Sequence, residues 1–464
     1  MPADRLSALD IAFLCLEGST TPMHMGVMAT FTPPAPVDAH RVAALVTERA
    51  AGIPRLARRV RFDPPPFRGA SWETVPRFDA ADHVRVHHLD GRDRPAPGDP
   101  LVEMASAWLA AGLDTTAPLW EARIVTGFPD GSFALLLKLH HALADGTGAA
   151  QLALGLLDGA GAPRRRVPPR ADTGATHTET ADTGAAGVPR SPLGTALGEV
   201  GAGVRDALGQ AVGQAAGTAG IATTMLRSVR PWPPPATLTA NSPRRRIGLV
   251  RLDMAEVRAV RAAHGGTTND VVLAVVAGAL REWLRGRGRD PDRSALRALV
   301  PVSVRGRAER PTDGNALSGY LCDLPVEVDD PVERLRRVRS AMEHNKRTGP
   351  TRGAGAFPVL AGRLPSGLHR LATRGVGHAA PLLFDTVVTT VGLPGLPMGL
   401  AGAPLREVYP FVPLAPHQSL GIAVVPYRSG LHVGLQVNAD AVADVNALSD
   451  AVTKSLSALY HRRP

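Results

Sequence analysis

Along this 464-residue chain the period of apolar positions changes, and the changes mark elements. Phe133-Ala134-Leu135-Leu136-Leu137-Lys138-Leu139 is almost continuously apolar and follows a Gly-containing turn, which predicts a buried strand. After Asp145-Gly146 the apolar positions become Ala149, Leu152, Ala153, Leu156 and Leu157, the stripe of an amphipathic helix. Thr268, Asn269 and Asp270 open a second helix, apolar on all sides from Val271 to Val276. Such alternation fills residues 1 to about 160 and resumes from about Arg244 to the C-terminus. The pattern predicts an α/β (α+β) chain of two domains, in line with its length.

Between them the pattern breaks. Pro163-Arg164-Arg165-Arg166 and Pro168-Pro169-Arg170 precede Ala171-Asp172-Thr173-Gly174-Ala175, which recurs at 181–185. Few large apolar residues occur here to offset the entropy of ordering, so a flexible linker is expected. Leu197, Val200, Val204, Leu208 and Val212 then follow helical spacing, weakened by glycines. This segment reads either as a connecting helix or as an amphipathic segment lying on lipid. Pro231 to Pro235 ends it. The expected layout is an N-terminal lobe over 1–162, linker and helix over 163–240, and a C-terminal lobe over 241–464.

Composition narrows the function. The net charge of +10 is nearly all arginine, since lysine occurs only at 138, 346 and 454. The excess reads either as compositional bias or as attraction to anionic partners such as the phosphates of a small molecule or a membrane surface. Aromatics are only 4%, and no basic run is interleaved with them, which argues against a nucleic-acid partner. Cys15 and Cys322 form no metal or redox spacing, so a reduced cytoplasmic setting is expected. Asp4, Asp10 and Glu17 interrupt the first apolar stretch, unlike a secretory signal. A membrane-spanning helix needs roughly 20 apolar residues. The best run, Val271 to Leu280, ends sooner, at Arg281.

The chemistry concentrates at His140-His141-Ala142-Leu143-Ala144-Asp145-Gly146, where the predicted strand turns into the predicted helix. Imidazole titrates near neutrality and suits general-base work. Acyl transfer from a thioester needs a base for the attacking hydroxyl and donors for the oxyanion. No GxSxG elbow, HExxH helix or paired cysteines offer a different chemistry, so no metal is expected. Asp145 serves equally as a helix N-cap and as a support for the histidine loop.

This segment resembles the HHxxxDG motif of acyltransferases related to chloramphenicol acetyltransferase and to peptide-synthetase condensation domains. Within that group the chain is similar to the bacterial wax ester synthase/diacylglycerol acyltransferase family. Leu6-Ser7-Ala8-Leu9-Asp10 with Thr20-Thr21-Pro22-Met23-His24-Met25-Gly26 resembles the family's N-terminal signature. Pro118-Leu119-Trp120-Glu121 resembles its PLW motif, and Asn269-Asp270-Val271-Val272-Leu273 its ND helix. Val300-Pro301-Val302-Ser303-Val304-Arg305 and Gly314-Asn315 resemble its second-lobe strand and loop. The resemblance implies two chloramphenicol-acetyltransferase-like lobes with a tunnel between them. It implies His141 as the base, beside His140 and Gly146, and Asp145 as a structural residue paired with an arginine, for which Arg305 is a candidate. Each supporting position also has a simpler reading: Asn269 and Asp270 as capping residues, Pro118, Leu119 and Trp120 as a strand entry with core packing, Gly314-Asn315 as a turn, His24 as structural.

The implied reaction moves a fatty acyl group from acyl-CoA, used as substrate with no cofactor, to a long-chain alcohol or diacylglycerol. Peripheral contact with a membrane or lipid-droplet surface fits those substrates. The chain departs from the family at Thr389-Thr390-Val391-Gly392-Leu393-Pro394, where SNVPGP is usual. That departure keeps two alternatives open: the same chemistry on a specialised metabolite or amine, with a carrier-bound donor, and a non-catalytic lipid-surface protein.

Overall fold

The computed structural model describes residues 4–62, 70–89, 99–159, 238–303, 317–348 and 383–462. The expected linker and connecting helix, 163–240, lie outside the described residues except for 238–240, as do Arg305, Gly314 and Asn315. The described residues belong to one compact unit made from the chain before 161 and after 220.

In chain order the N-terminal half gives β1 (Asp4–Arg5), α1 (Ala8–Leu16), β2 (His24–Phe31), α2 (Ala39–Ala51), β3 (Arg58–Phe62), β4 (Ala70–Thr74), β5 (Val84–His88), α3 (Pro100–Ala110), β6 (Trp120–Thr126), β7 (Phe133–His140) and α4 (Gly146–Gly155). The C-terminal half gives β8 (Arg245–Asp253), α5 (Met254–His264), α6 (Thr268–Gly286), β9 (Leu296–Ser303), β10 (Leu317–Leu324), α7 (Pro331–Thr348), β11 (Thr386–Thr390), β12 (Gly399–Leu400), β13 (Ala403–Phe411), β14 (Leu420–Tyr427), β15 (Gly430–Asn438) and α8 (Val445–His461).

Helix starts follow local chemistry. Ser7, Asp38, Asp99, Asp145, Asp253, Thr267 and Asp444 each accept a first-turn N–H. Ser7 with Asp10, and Thr267 with Asp270, form complete capping boxes. The LSxxD and TxxD segments of the sequence are therefore helix starts in the first instance.

Among the described residues two six-stranded sheets carry the fold, one ordered β12-β13-β2-β7-β6-β5 and the other β10-β9-β11-β14-β15-β8, beside a three-stranded sheet ordered β1-β4-β3. In the first, β7 lies between antiparallel β2 and β6 and is buried along its whole length. Leu135, Leu137 and Leu139 enter the core that includes Val42 and Val46 of α2, while Ala134 and Leu136 meet Trp108 and Leu109 of α3. Burial on both faces is why this run shows no alternation. In the second sheet β9, β11 and β14 are parallel neighbours. Its core contains α6, which is buried from Asp270 to Leu284 except for Glu282. The side chain of Arg281 reaches out of that core to the carbonyls of Val326 and Glu327 and to Asp292 and Asp329.

One strand crosses the expected boundary at residue 241. β13, from the C-terminal half, pairs antiparallel with β2 of the first sheet, from Leu405↔Phe31 to Phe411↔Gly26. Only after β13 does the chain return to the second sheet as β14. The close approach this requires falls at Gly434 of β15, where a Cβ would sit 1.9 Å from the Pro410 carbonyl oxygen.

Candidate active site

The buried β7 ends at His140, so His140 and His141 leave the sheet from a fixed point. Backbone bonds then wind a turn: His140 N donates to Leu119 O (3.0 Å), Leu143 N to His140 O (2.9 Å), and His141 N to Met23 O (2.8 Å). The Leu119 carbonyl thus makes the PLW segment part of the mounting. Trp120 fills the core, donating Nε1–H to Leu56 O at 2.9 Å, and His83 stacks on its ring. Pro118 accepts the Trp120 N–H at 2.8 Å. Of the three, Leu119 bonds a motif histidine, and it does so through its backbone carbonyl.

The His140 ring is fully buried. Its Nδ1 accepts the Ala142 N–H at 3.0 Å, and its Nε2 meets the Glu17 carboxylate. The His141 ring is half-buried and lies face to face with Phe13, centroids 4.0 Å apart and planes 18° from parallel.

Asp145 is buried and caps α4, accepting the Gly148 N–H at 2.8 Å. Arg55 Nε donates to the Leu143 carbonyl at 2.5 Å, so the turn is held from its outer side as well. Gly146 opens α4, and a Cβ there would lie 3.8 Å from Cγ2 of Val391. Thr390 Oγ1 donates to Asn269 Oδ1 at 3.2 Å. The segment that departs from the family pattern therefore lies beside Gly146 of the histidine motif and bonds Asn269 of the ND helix. Asp270 points elsewhere: its Oδ2 takes the Thr267 N–H (2.7 Å) and hydroxyl (2.8 Å), and it acts electrostatically on Cys322.

Beneath the site lie buried titratable groups. His24 pairs with His140 across β2 and β7, and donates Nε2–H to Leu109 O at 2.7 Å. Burial, with Lys138 nearby, pushes its pKa down to about 3, so it stays neutral and does no acid–base work near pH 7. Lys138 is buried, 3.2 Å from Glu121, and burial lowers its pKa against the pull of that carboxylate. Burial pushes the Cys322 thiol up to about 12, with Asp323 and Asp270 adding to it, which keeps it protonated. Among the described residues no three His, Cys, Asp or Glu side chains gather to hold a metal, and no helix is long and apolar enough to cross a membrane.

The sequence pattern did not single out Phe13 as a site residue, and marked Glu17 only as a charge in an apolar stretch. Their spacing of four at the end of a capped helix was the available signal. It became meaningful only once α1 lay against the turn.

In solved structures the fold matches a wax ester synthase/diacylglycerol acyltransferase from Marinobacter aquaeolei VT8, with TM-score 0.69, 23% identity and 98% of each chain covered. It also matches the first condensation domain of the CDA synthetase, with TM-score 0.59, 17% identity, and 99% of this chain and 96% of that one covered. The fold is thus the two-lobed one of condensation domains. The wax ester synthase/diacylglycerol acyltransferase catalytic domain matches residues 6–272, and the WS/DGAT C-terminal domain matches residues 313–460. The chain belongs to the wax ester synthase/diacylglycerol acyltransferase family and is an acyltransferase. It is 29% identical over 470 residues to the Mycobacterium tuberculosis protein named "Probable diacyglycerol O-acyltransferase tgs1", covering 98% of this chain and 96% of that protein.

Proposed function

We propose that the protein transfers a fatty acyl group from acyl-CoA to the hydroxyl of diacylglycerol or a long-chain alcohol, with His141 as general base. The observation that carries this reading is the mounting of His141: a half-buried imidazole at the end of a wholly buried strand, its backbone tied to Met23 and its ring set by Phe13. The names of the relatives support diacylglycerol as acceptor. His141 takes the hydroxyl proton as the oxygen attacks the thioester carbonyl. The tetrahedral intermediate collapses, the C–S bond breaks, and the imidazolium returns the proton to the coenzyme A thiolate. The acyl group moves directly, without a covalent enzyme intermediate or a further cofactor. Much of the rate comes from holding two long substrates together in the interlobe tunnel. Both substrates are at home at a membrane or lipid-droplet surface, where the protein would meet them.

The test is coenzyme A release from palmitoyl-CoA, with and without hexadecanol or diacylglycerol, by wild type and His141→Ala. Acceptor-dependent release should fall by at least about 100-fold in the variant, the scale of general-base catalysis, while its thermal unfolding stays unchanged. Turnover near wild type in His141→Ala would remove the histidine from the mechanism.

A further inference from the structure

Phe13 and Glu17 stand four residues apart at the end of α1, a spacing that puts both on one side. The structure shows what that side touches: Phe13 stacks on His141, and Glu17 meets His140. One helix end therefore grips two adjacent histidines, each by a different contact.

The contact to His140 decides its tautomer. Its Nδ1 accepts the Ala142 N–H, so that lone pair is used and the ring proton must sit on Nε2. There the Glu17 carboxylate accepts it. In the other tautomer, two N–H groups would face each other at Ala142 and two lone pairs at Glu17. The backbone of His140 is also the hub of the turn, bonded to Leu119 and Leu143. Loss of the Nε2–H form would unpair the Ala142 amide directly after His141 and loosen the turn that aims the base.

We propose that Phe13 and Glu17 are positioning residues: Glu17 locks His140 as its Nε2–H tautomer, Phe13 sets the ring plane of His141, and α1 thereby aims the base at the substrate hydroxyl. This rests on the reading of His141 as base. The charge of Glu17 is shared with Lys138, whose ammonium it influences. Acceptance of the His140 proton is the part the turn depends on.

The experiment compares Glu17→Gln with Glu17→Ala. The Gln side chain keeps an oxygen that can accept the His140 proton; Ala does not. Glu17→Ala should lower kcat by about 30-fold, short of the roughly 100-fold or more lost with the base itself, with KM for palmitoyl-CoA unchanged. Glu17→Gln should recover kcat to within about 3-fold of wild type, since a neutral acceptor is weaker than a carboxylate but keeps the geometry. ¹⁵N imidazole spectra, with His140 assigned by difference from His140→Asn, should show the Nε2–H form in wild type and Glu17→Gln and a loss of it in Glu17→Ala. If Glu17→Ala fails to fold, Phe13→Leu carries the test, with kcat lowered about 5-fold and KM unchanged, as expected for misorientation of a base. Wild-type kcat in Glu17→Ala, a folded Glu17→Gln as inactive as the Ala variant, or an Nδ1–H signal for His140 in wild type would each overturn the proposal. A dead His141→Ala beside an active Glu17→Ala sinks this inference alone, whereas an active His141→Ala sinks the base assignment beneath it.

Discussion

His24 and Lys138 end the same helix. The last carbonyls of α3 lack intrahelical partners, and His24 bonds that of Leu109, while Lys138 bonds those of Trp108 (3.2 Å) and Ala111 (3.0 Å). The two side chains differ in their other partners. Lys138 has Glu121 beside it, but His24 is held neutral, with its pKa near 3 in the fold against about 6.5 in an unfolded chain. Between those values the unfolded state binds one more proton than the native state, so His24 makes stability fall as pH drops from about 6.5 toward 3, by about 1.4 kcal/mol per pH unit at most. His432, also lowered by burial, adds in the same direction. The urea midpoint of wild type should therefore fall between pH 7 and pH 5, and His24→Gln, which keeps a donor for Leu109, should lose about one proton of that slope. Equal slopes in the two proteins would show that His24 is not held neutral. The sequence marked His24 as structural but not the reason. Its partner Leu109 stands 85 residues away, and the Glu17 partner of His140 stands 123 away. Adjacent histidines before an aspartate and a glycine are visible in one dimension; their mountings are not.

Elements were legible to the extent that their causes are local. The strand expected over Phe133–Leu139 and the helix expected after Gly146 both form, because one depends on a buried apolar run and the other on a cap and a stripe. The helix opened by Thr268-Asn269-Asp270 forms for the same reason. Pairing between distant strands was not legible, since an apolar period of two says that a strand has a buried face but not what lies beside it. β13 is the case in point: nothing in Ala403–Phe411 names β2 as its neighbour. The cost of bringing it there appears at Gly434. A methyl group 1.9 Å from the Pro410 carbonyl cannot be relieved by a side-chain rotation, because a Cβ is fixed by its own backbone and the atom it meets is backbone too. Gly434→Ala should destabilise by about 3 kcal/mol, the upper part of the overpacking range, read as a lower urea midpoint with an unchanged slope. A loss under about 0.5 kcal/mol, typical of a surface change, would mean that β13 and β15 are not held this close.

At the scale of the molecule the two sheets are joined by more than one route. β13 fills the position beside β2 and so covers an edge that would otherwise expose unpaired backbone. β14 sends Val425 and Tyr427 into the N-terminal core, where the Tyr427 hydroxyl accepts the Met398 N–H at 3.2 Å. The backbone N–H of Ile247 on β8 donates to Ser106 of α3 at 3.1 Å, and Arg245 donates to the Thr20 carbonyl at 2.7 Å, close to the start of β2 and the site. Elements that share strands and buried bonds in this way open together, because neither sheet keeps its edges and core when the other is lost. Pulse-labelling hydrogen exchange across a urea series should therefore show the amides of β7 and those of β15 losing protection at the same concentration, even though the two strands belong to different sheets. Gly434→Ala should shift both together. If β7 became labelled at urea concentrations where β15 stayed protected, the exchanged strand would be a surface graft. The histidine turn would then depend on the N-terminal sheet alone.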